Sequence, residues 1–290
     1  MIRRIIQARW AYFFLLPAYF FFVIFTLLPL VQGVGFSLYD VKLNTRKFVG
    51  LQHYVALYHD DAFWKALVNT LLITLGVVPA VVVISILVAV VVHPLNKHVQ
   101  TFFRMSFYMP VVASGVVLSM VWLWIYNPTY GLFNYLIGLI GLEPVAWLGT
   151  PGKALVSIII VVITLVLGQP IILFLAALGG IPQDLQEAAM IDGANSRQRF
   201  FRITLPLLKP TTLFVMVTQT IAVFQVFVVI MLLTNGGPAN GTQTIVYRIY
   251  QTAFDFFNFG YASALGVVML VIVSFLAWFN FRLLGQDTEF

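Results

Sequence analysis

Six stretches of this chain run for twenty residues or more without Asp, Glu, Lys, Arg or His: Ala11–Phe36, Ala66–Val92, Met105–Tyr126, Ala154–Gly180, Pro210–Leu233 and Ala262–Phe281. A bilayer core is crossed by ~20 apolar residues in a helix. Backbone polar groups find no water there, so only helices or closed barrels cross it. Windows this long and this continuous predict six membrane-spanning helices and an all-α integral membrane fold. The rest of the composition agrees. Hydrophobic residues make up 61% of the 290 residues and charged residues 9%, against ~25% charged in a typical soluble domain. Too few charges remain for a soluble surface, and hydrophobicity is too high for disorder. There is no Cys, which excludes disulfides, thiolate metal sites and a Cys nucleophile. No basic run is interleaved with stacking aromatics, so nucleic acid is not a partner.

The start, MIRRIIQARW, has the charge of a signal peptide. The apolar stretch after it is too long and lacks a small-x-small cleavage site, so it reads as an uncleaved first span. Orientation follows from Lys and Arg. With the N-terminus inside, inner segments hold Arg3, Arg4, Arg9, Lys97, Arg104, Arg197, Arg199, Arg202, Lys209 and Arg282. Outer segments hold Lys42, Arg46, Lys47, Lys65, Lys153 and Arg248. The ten-to-six bias places both termini in the cytoplasm of a bacterial or archaeal cell. Trp10, Trp64, Trp122, Trp124 and Trp278 fall near span ends, as an aromatic belt would. The outer loops are then residues 37–65, 127–153 and 234–261, and the inner connections 93–104 and 181–209. With no internal repeat, the chain reads as one membrane domain over residues 1–290.

Ionisable groups at membrane depth mark proton relays and intramembrane catalysts, and the six windows contain none. His53, His59, His93 and His98 lie in loops or at a span end, without the spacing of a zinc site. The expectation is no catalytic residue, no metal and no cofactor held by this chain. A phosphate-binding loop of the GxxxxGK[ST] type is also missing, since Gly152-Lys153 is followed by Ala154. Any ATP that drives transport must be hydrolysed by a partner, and an inner connection is its natural docking point.

The second inner connection carries the strongest local signal. Pro182 suits the first turn of a helix. Asp184 and Glu187 suit the positive end of its dipole, and Gly193 suits its C-terminal stop. A short helix is predicted from Gln183 to Asp192, with a further turn or two from Ser196 to Arg202. Phe200, Phe201 and Ile203 are placed to lie in the membrane interface, with Arg197, Arg199 and Arg202 at headgroup level. The helix is either a docking element or an ordinary amphipathic loop helix.

Glu187-Ala188-Ala189, three residues, Gly193, nine residues, then Ile203-x-Leu205-Pro206 resembles the EAA signature of permease subunits in binding-protein-dependent ABC importers. Other segments resemble the sugar-uptake branch: Phe48-Val49-Gly50-Leu51, Phe63-Trp64, Asn69-Thr70, Gly179, Ile181-Pro182, Asp192-Gly193-Ala194, Leu233 to Pro238, and Gly260-Tyr261-Ala262. The likeness covers nearly the whole length and is closest to the first maltose and glycerol-phosphate permease type, without that maltose subunit's extra spans and outer domain. It implies a second homologous permease, a cytoplasmic ATPase dimer carrying ATP and Mg²⁺, and an extracytoplasmic solute-binding protein. It further implies that Glu187, Ala188, Ala189, Asp192 and Gly193 form the coupling helix on the ATPase, and that Ile203, Leu205 and Pro206 anchor the return to the membrane.

A passage without charge suits a neutral, hydroxyl-rich solute. Gln169, Gln219, Phe224 and Gln225 are the candidate path residues, on the two spans where the resemblance puts solute contacts. The bland alternative is helix–helix hydrogen bonding, which is also the reading of Asn69, Thr70 and Asn280. Thr234–Thr244 is rich in turn residues, a connecting loop in the simpler view and a contact for a binding protein or entering sugar in the other. The rival functions are import of glycerol 3-phosphate or another small organic solute, and, in a different class, an ion-coupled carrier.

Overall fold

In the computed structural model, residues 9–43 and 45–284 are described. Among the described residues three helices are long and apolar enough to cross a membrane, or up to six when each of three bent helix pairs counts as one span. Arg3 and Arg4, on which part of the orientation rests, lie outside the described residues, as does the tail beyond residue 284.

Contacts divide the chain into two compact units, one ending at Asp60 and including Ile249–Leu270, the other built on Asp61–Arg248. In the first unit, α1 (Arg9–Phe22) and α2 (Leu28–Phe36) are joined by a π-helical stretch, Val23–Leu27. The expected outer loop 37–65 follows. It holds an antiparallel hairpin of β1 (Tyr39–Lys42) and β2 (Thr45–Phe48), with Tyr39 opposite Phe48. The Arg46 guanidinium sits 4.5 Å over the Tyr39 ring. Gly50 adopts φ +57°, and its N–H and that of Val49 both reach Leu38 O. This accounts for the glycine of Phe48-Val-Gly-Leu51. Helix α3 (Gln52–Tyr58) follows, and His53 Nε2 lies 3.1 Å from Tyr39 O.

The second unit is organised around α4 (Asp61–Val92). Its buried face, Ile73, Val77 and Val81, packs on Ile158, Val161 and Val162 of α8 (Pro151–Val166). Further along, Val82, Ile86 and Ala89 pack on Ile171, Phe174 and Leu175 of α9 (Gly168–Gly179). Lipid is as apolar as these side chains, so close van der Waals packing, not escape from water, holds such helices together.

The third, fourth and fifth predicted spans are not straight helices. The third is α5 (Lys97–Val112) and α6 (Gly115–Ile125), bent by 97°. Pro110 interrupts the last turn of α5, Ala113 and Ser114 are extended, and Ser114 Oγ caps Val116 N at 3.3 Å. Most of the expected inner loop 93–104 is therefore the first half of α5, started by Asn96, whose side chain accepts from Val99 N. The fourth span is α8 and α9, bent by 49°, with Pro170 in the first turn of α9. The fifth pairs Ser196–Leu207 with α13 (Lys209–Phe224), bent by 60° between Pro206 and Pro210. Helix α13 stops at Phe224, and α14 (Val228–Leu233) resumes after a three-residue break.

The outer segment 127–153 contains a helix of its own, α7 (Leu132–Leu139). Asn134 holds it. Its amide donates to Pro128 O and Val145 O, and its carbonyl accepts from Val145 N and Trp147 Nε1. Of the belt tryptophans, Trp64, Trp124 and Trp278 are exposed. Trp122 instead turns inward, donates to Thr164 Oγ1 and packs on Tyr126, and the side chain of Trp10 is not among those described.

Thr234–Thr244 is a loop, but a buried and cross-linked one. Thr242, Gln243 and Thr244 are shielded from solvent. Asn69 of α4 donates to Asn240 O (2.9 Å) and Gln243 O (3.1 Å), Thr70 Oγ1 accepts from Ile245 N, and Lys65 Nζ donates to Ala239 O. Thus Asn69 and Thr70 are packing residues that serve the loop. The Asn69→Leu change removes a buried side-chain donor from two loop carbonyls, at a cost of about 1–3 kcal/mol. The purified protein should melt several degrees lower, and an unchanged melting temperature would show that the amide contributes nothing. Beyond the loop, α15 (Ile245–Tyr250), a π stretch Gln251–Asp255 and α16 (Phe259–Leu284) complete the chain.

Candidate coupling and transport sites

Helix α10 (Gln183–Ile191) forms where the sequence placed the coupling helix. Pro182 stands one position before it, as N-cap, and Asp184 lies in the first turn. The end is a Schellman closure. Ala194 N donates to Ala189 O, Gly193 N donates to Met190 O, and Gly193 takes φ +78°. No side chain with a Cβ adopts that φ without strain.

One face of α10 is anchored and the other is bare. Gln186 donates to Thr204 Oγ1. On the bare side Glu187, Ala188, Asp192 and Gly193 are exposed, Ala189 is half-buried, and Ile191 is 87% exposed. Leu185, Ala188 and Ile191 follow one another at helical spacing. Among the described residues Glu187 has no hydrogen-bond or ion-pair partner. An apolar strip beside exposed carboxylates without ion-pair partners suits a surface that brings an apolar cleft and a cation.

The next turn, α11 (Ser196–Arg199), opens with a capping box. Asn195 Oδ1 accepts from Gln198 N and Gln198 Oε1 accepts from Asn195 N. The Asn-x-x-Gln spacing was available in the sequence as a helix-start signal. A π-helical turn, Phe200–Thr204, and α12 (Leu205–Leu207) lead on to α13.

The four candidate path residues separate into two pairs. Gln169, in the first turn of α9, and Gln225, at the break after α13, are exposed. Gln219 is buried, with Oε1 unpartnered, and Phe224 is 0% exposed. In this chain the Phe224 ring is fully enclosed by its neighbours. One further buried polar group was not foreseen from the sequence. Ser85 of α4 is fully buried, with an unpartnered Oγ. Serine in a helix of Val, Ile and Ala gives no sign of which way it faces. Asn280 donates to Thr220 Oγ1 at 3.4 Å, a helix–helix contact. No cluster of three metal-ligating side chains occurs among the described residues.

Up to six spans, three of them broken, with a short exposed helix in the connection between the fourth and the fifth, fit a membrane transport subunit. Residues 53–286 match the family described as binding-protein-dependent transport system inner membrane component. The chain belongs to that family. It is similar to the probable ABC transporter permease protein YurN of Bacillus subtilis, 36% identical and covering 96% of this chain and 97% of the relative. It is 33% identical to the multiple sugar-binding transport system permease protein MsmF of Streptococcus mutans, over 97% of each. Among solved structures it matches a chain of a bacterial ABC transporter involved in the import of the acidic polysaccharide alginate. The TM-score is 0.86 at 25% identity, over 99% of both chains. As an inner-membrane permease the chain is a transport component without enzymatic activity, and the ATPase is a separate subunit.

Proposed function

We propose that this chain is one of two permease subunits in an ATP-driven importer for a neutral mono- or oligosaccharide. An extracytoplasmic binding protein delivers the sugar. A second permease completes the passage, and a cytoplasmic ATPase dimer, holding ATP and Mg²⁺, closes on α10 and switches the spans between outward and inward access. Both termini then lie in the cytoplasm. On α10, Glu187 pairs with a basic group of the ATPase, Ala188 and Ala189 allow close approach, and Asp192 with Gly193 ends the helix so that its apolar strip stands clear. The bare face of α10 supports this assignment.

The observation that carries the choice of solute concerns helix breaks. Gln169 and Gln225 are exposed amides at interruptions of the fourth and fifth spans, and the apolar windows hold no ionisable residue. Interrupted helices release backbone groups toward a passage. Neutral amides beside them match sugar hydroxyls, whereas a phosphate or carboxylate solute calls for Arg or Lys. Relatives named for lactose in Rhizobium radiobacter and for trehalose and maltose in Thermococcus litoralis, 34% and 33% identical, support the same class.

Uptake of radiolabelled sugars by cells carrying the importer tests this. The Gln169→Ala and Gln225→Ala variants should each raise the half-saturating sugar concentration for translocation about three- to tenfold, the value of one hydrogen bond. Gln52→Ala, on α3, should not. Unchanged uptake in both path variants, or a wild type that takes up glycerol 3-phosphate and no sugar, would sink the proposal.

A further inference from the structure

Behind α10 lies a cavity of about 570 Å³. His93, Gln186, Ser196 and Arg199 supply polar lining, Val90 and Leu178 supply an apolar wall, and no carboxylate borders it. Arg199 is half-buried. Its Nε is shielded from solvent and has no hydrogen-bond partner, while Nη2 donates only to Ser196 Oγ at 3.3 Å. No carboxylate among the described residues lies within ion-pair distance of it. Asp192 borders a smaller, separate cavity on the guanidinium's other side without reaching it. A shielded N–H left without an acceptor is costly, and no carboxylate offsets the guanidinium, so a ligand that accepts from this edge would be favoured. The Nε–Nη edge of a guanidinium matches two oxygens of one phosphate.

The surroundings narrow the source. The cavity combines this edge with an apolar wall, which Phe200 extends. Free phosphate uses only the guanidinium, whereas a lipid also uses the wall. Basic pockets of this kind at the cytoplasmic face accept anionic headgroups. We infer that the cavity binds the phosphate of an anionic phospholipid, held by Arg199 and Ser196, with its glycerol and first acyl carbons against Val90 and Leu178. The lipid thereby fills the space between α10 and the ends of α4 and α9. The inference rests on the reading above that α10 faces the cytoplasm.

The test uses the intact importer, purified with its ATPase and placed in nanodiscs of phosphatidylcholine containing phosphatidylglycerol. Bound lipid is counted by native mass spectrometry after exchange into detergent. The wild type should retain phosphatidylglycerol over phosphatidylcholine. Arg199→Gln should retain about tenfold less, as expected for loss of a hydrogen bond to a charged group. Lys97→Gln, which does not line the cavity, should change retention less than twofold. Equal retention by wild type and Arg199→Gln overturns the inference. So does full displacement of the lipid by millimolar inorganic phosphate, which would mark a free-anion site. Loss of the ATPase with lipid retained, in Arg199→Gln, would make the guanidinium a subunit contact and also overturn it. A wild type that purifies without any ATPase would instead refute the transport reading, and lipid retention by that same sample would still report on the cavity.

Discussion

Sugar uptake is expected to fall about 100-fold or more when Glu187→Lys and Gly193→Pro are combined, with the protein still inserted and folded. Glu187 is exposed and unpaired, so its reversal disturbs no contact within the described chain. Its effect must come from a partner, and reversing one side of an interfacial charge pair costs about 2–5 kcal/mol. Gly193 has φ +78°, and its N–H closes the helix on Met190 O. Proline fixes φ near −65° and has no N–H, so the chain leaves α10 in a different direction. Insertion depends on the six apolar windows, which neither change touches. Uptake within twofold of wild type, at equal membrane abundance, would show that α10 couples to nothing.

A single methyl group at Gly168 should lower stability by about 1–3 kcal/mol, the range for overpacking. Gly168 stands at the α8–α9 bend, where its added Cβ would meet the backbone oxygen of Phe107 and, at 2.8 Å, Val111 Cγ2. The backbone of α5 has no side-chain freedom with which to yield. The informative comparison is Gly138→Ala on α7, where nothing lies within 4 Å of the added atom. There alanine should gain up to about 1 kcal/mol, its ordinary helical advantage over glycine. Opposite signs in thermal melts of the two variants are the predicted result. Equal effects would mean that α5 and α9 do not approach so closely.

What could be read from the sequence was what lipid and backbone chemistry force. A span must be long and uncharged, so all six windows found helices. Gly193 could be read as a stop because the left-handed conformation selects glycine. Pro110 and Pro170 sit at two of the bends. The break at Gln225–Phe227 has neither Gly nor Pro between Ile221 and Thr234, so no local signal announced it, and Leu233 was included in one span with Pro210. The burial of Phe224 was equally illegible, because an aromatic ring in an apolar helix carries no mark of the side it faces. The loop Thr234–Thr244 advertised its turns, but not the partners of its carbonyls. Those are Lys65 and Asn69, over 170 residues away in sequence.

The same limit applies to α10. Its start, end and bare face follow from local chemistry, whereas the identity of what covers it belongs to another chain. The most direct measurement is therefore co-purification of the tagged wild-type protein from its native membrane, beside the Glu187→Lys, Gly193→Pro variant. Recovery of an ATPase, a second permease and a binding protein with the wild type, and loss of the ATPase alone with the variant, is the predicted result. A wild type that purifies as a folded homo-oligomer without an ATPase would contradict the account and put an ion-coupled carrier in its place.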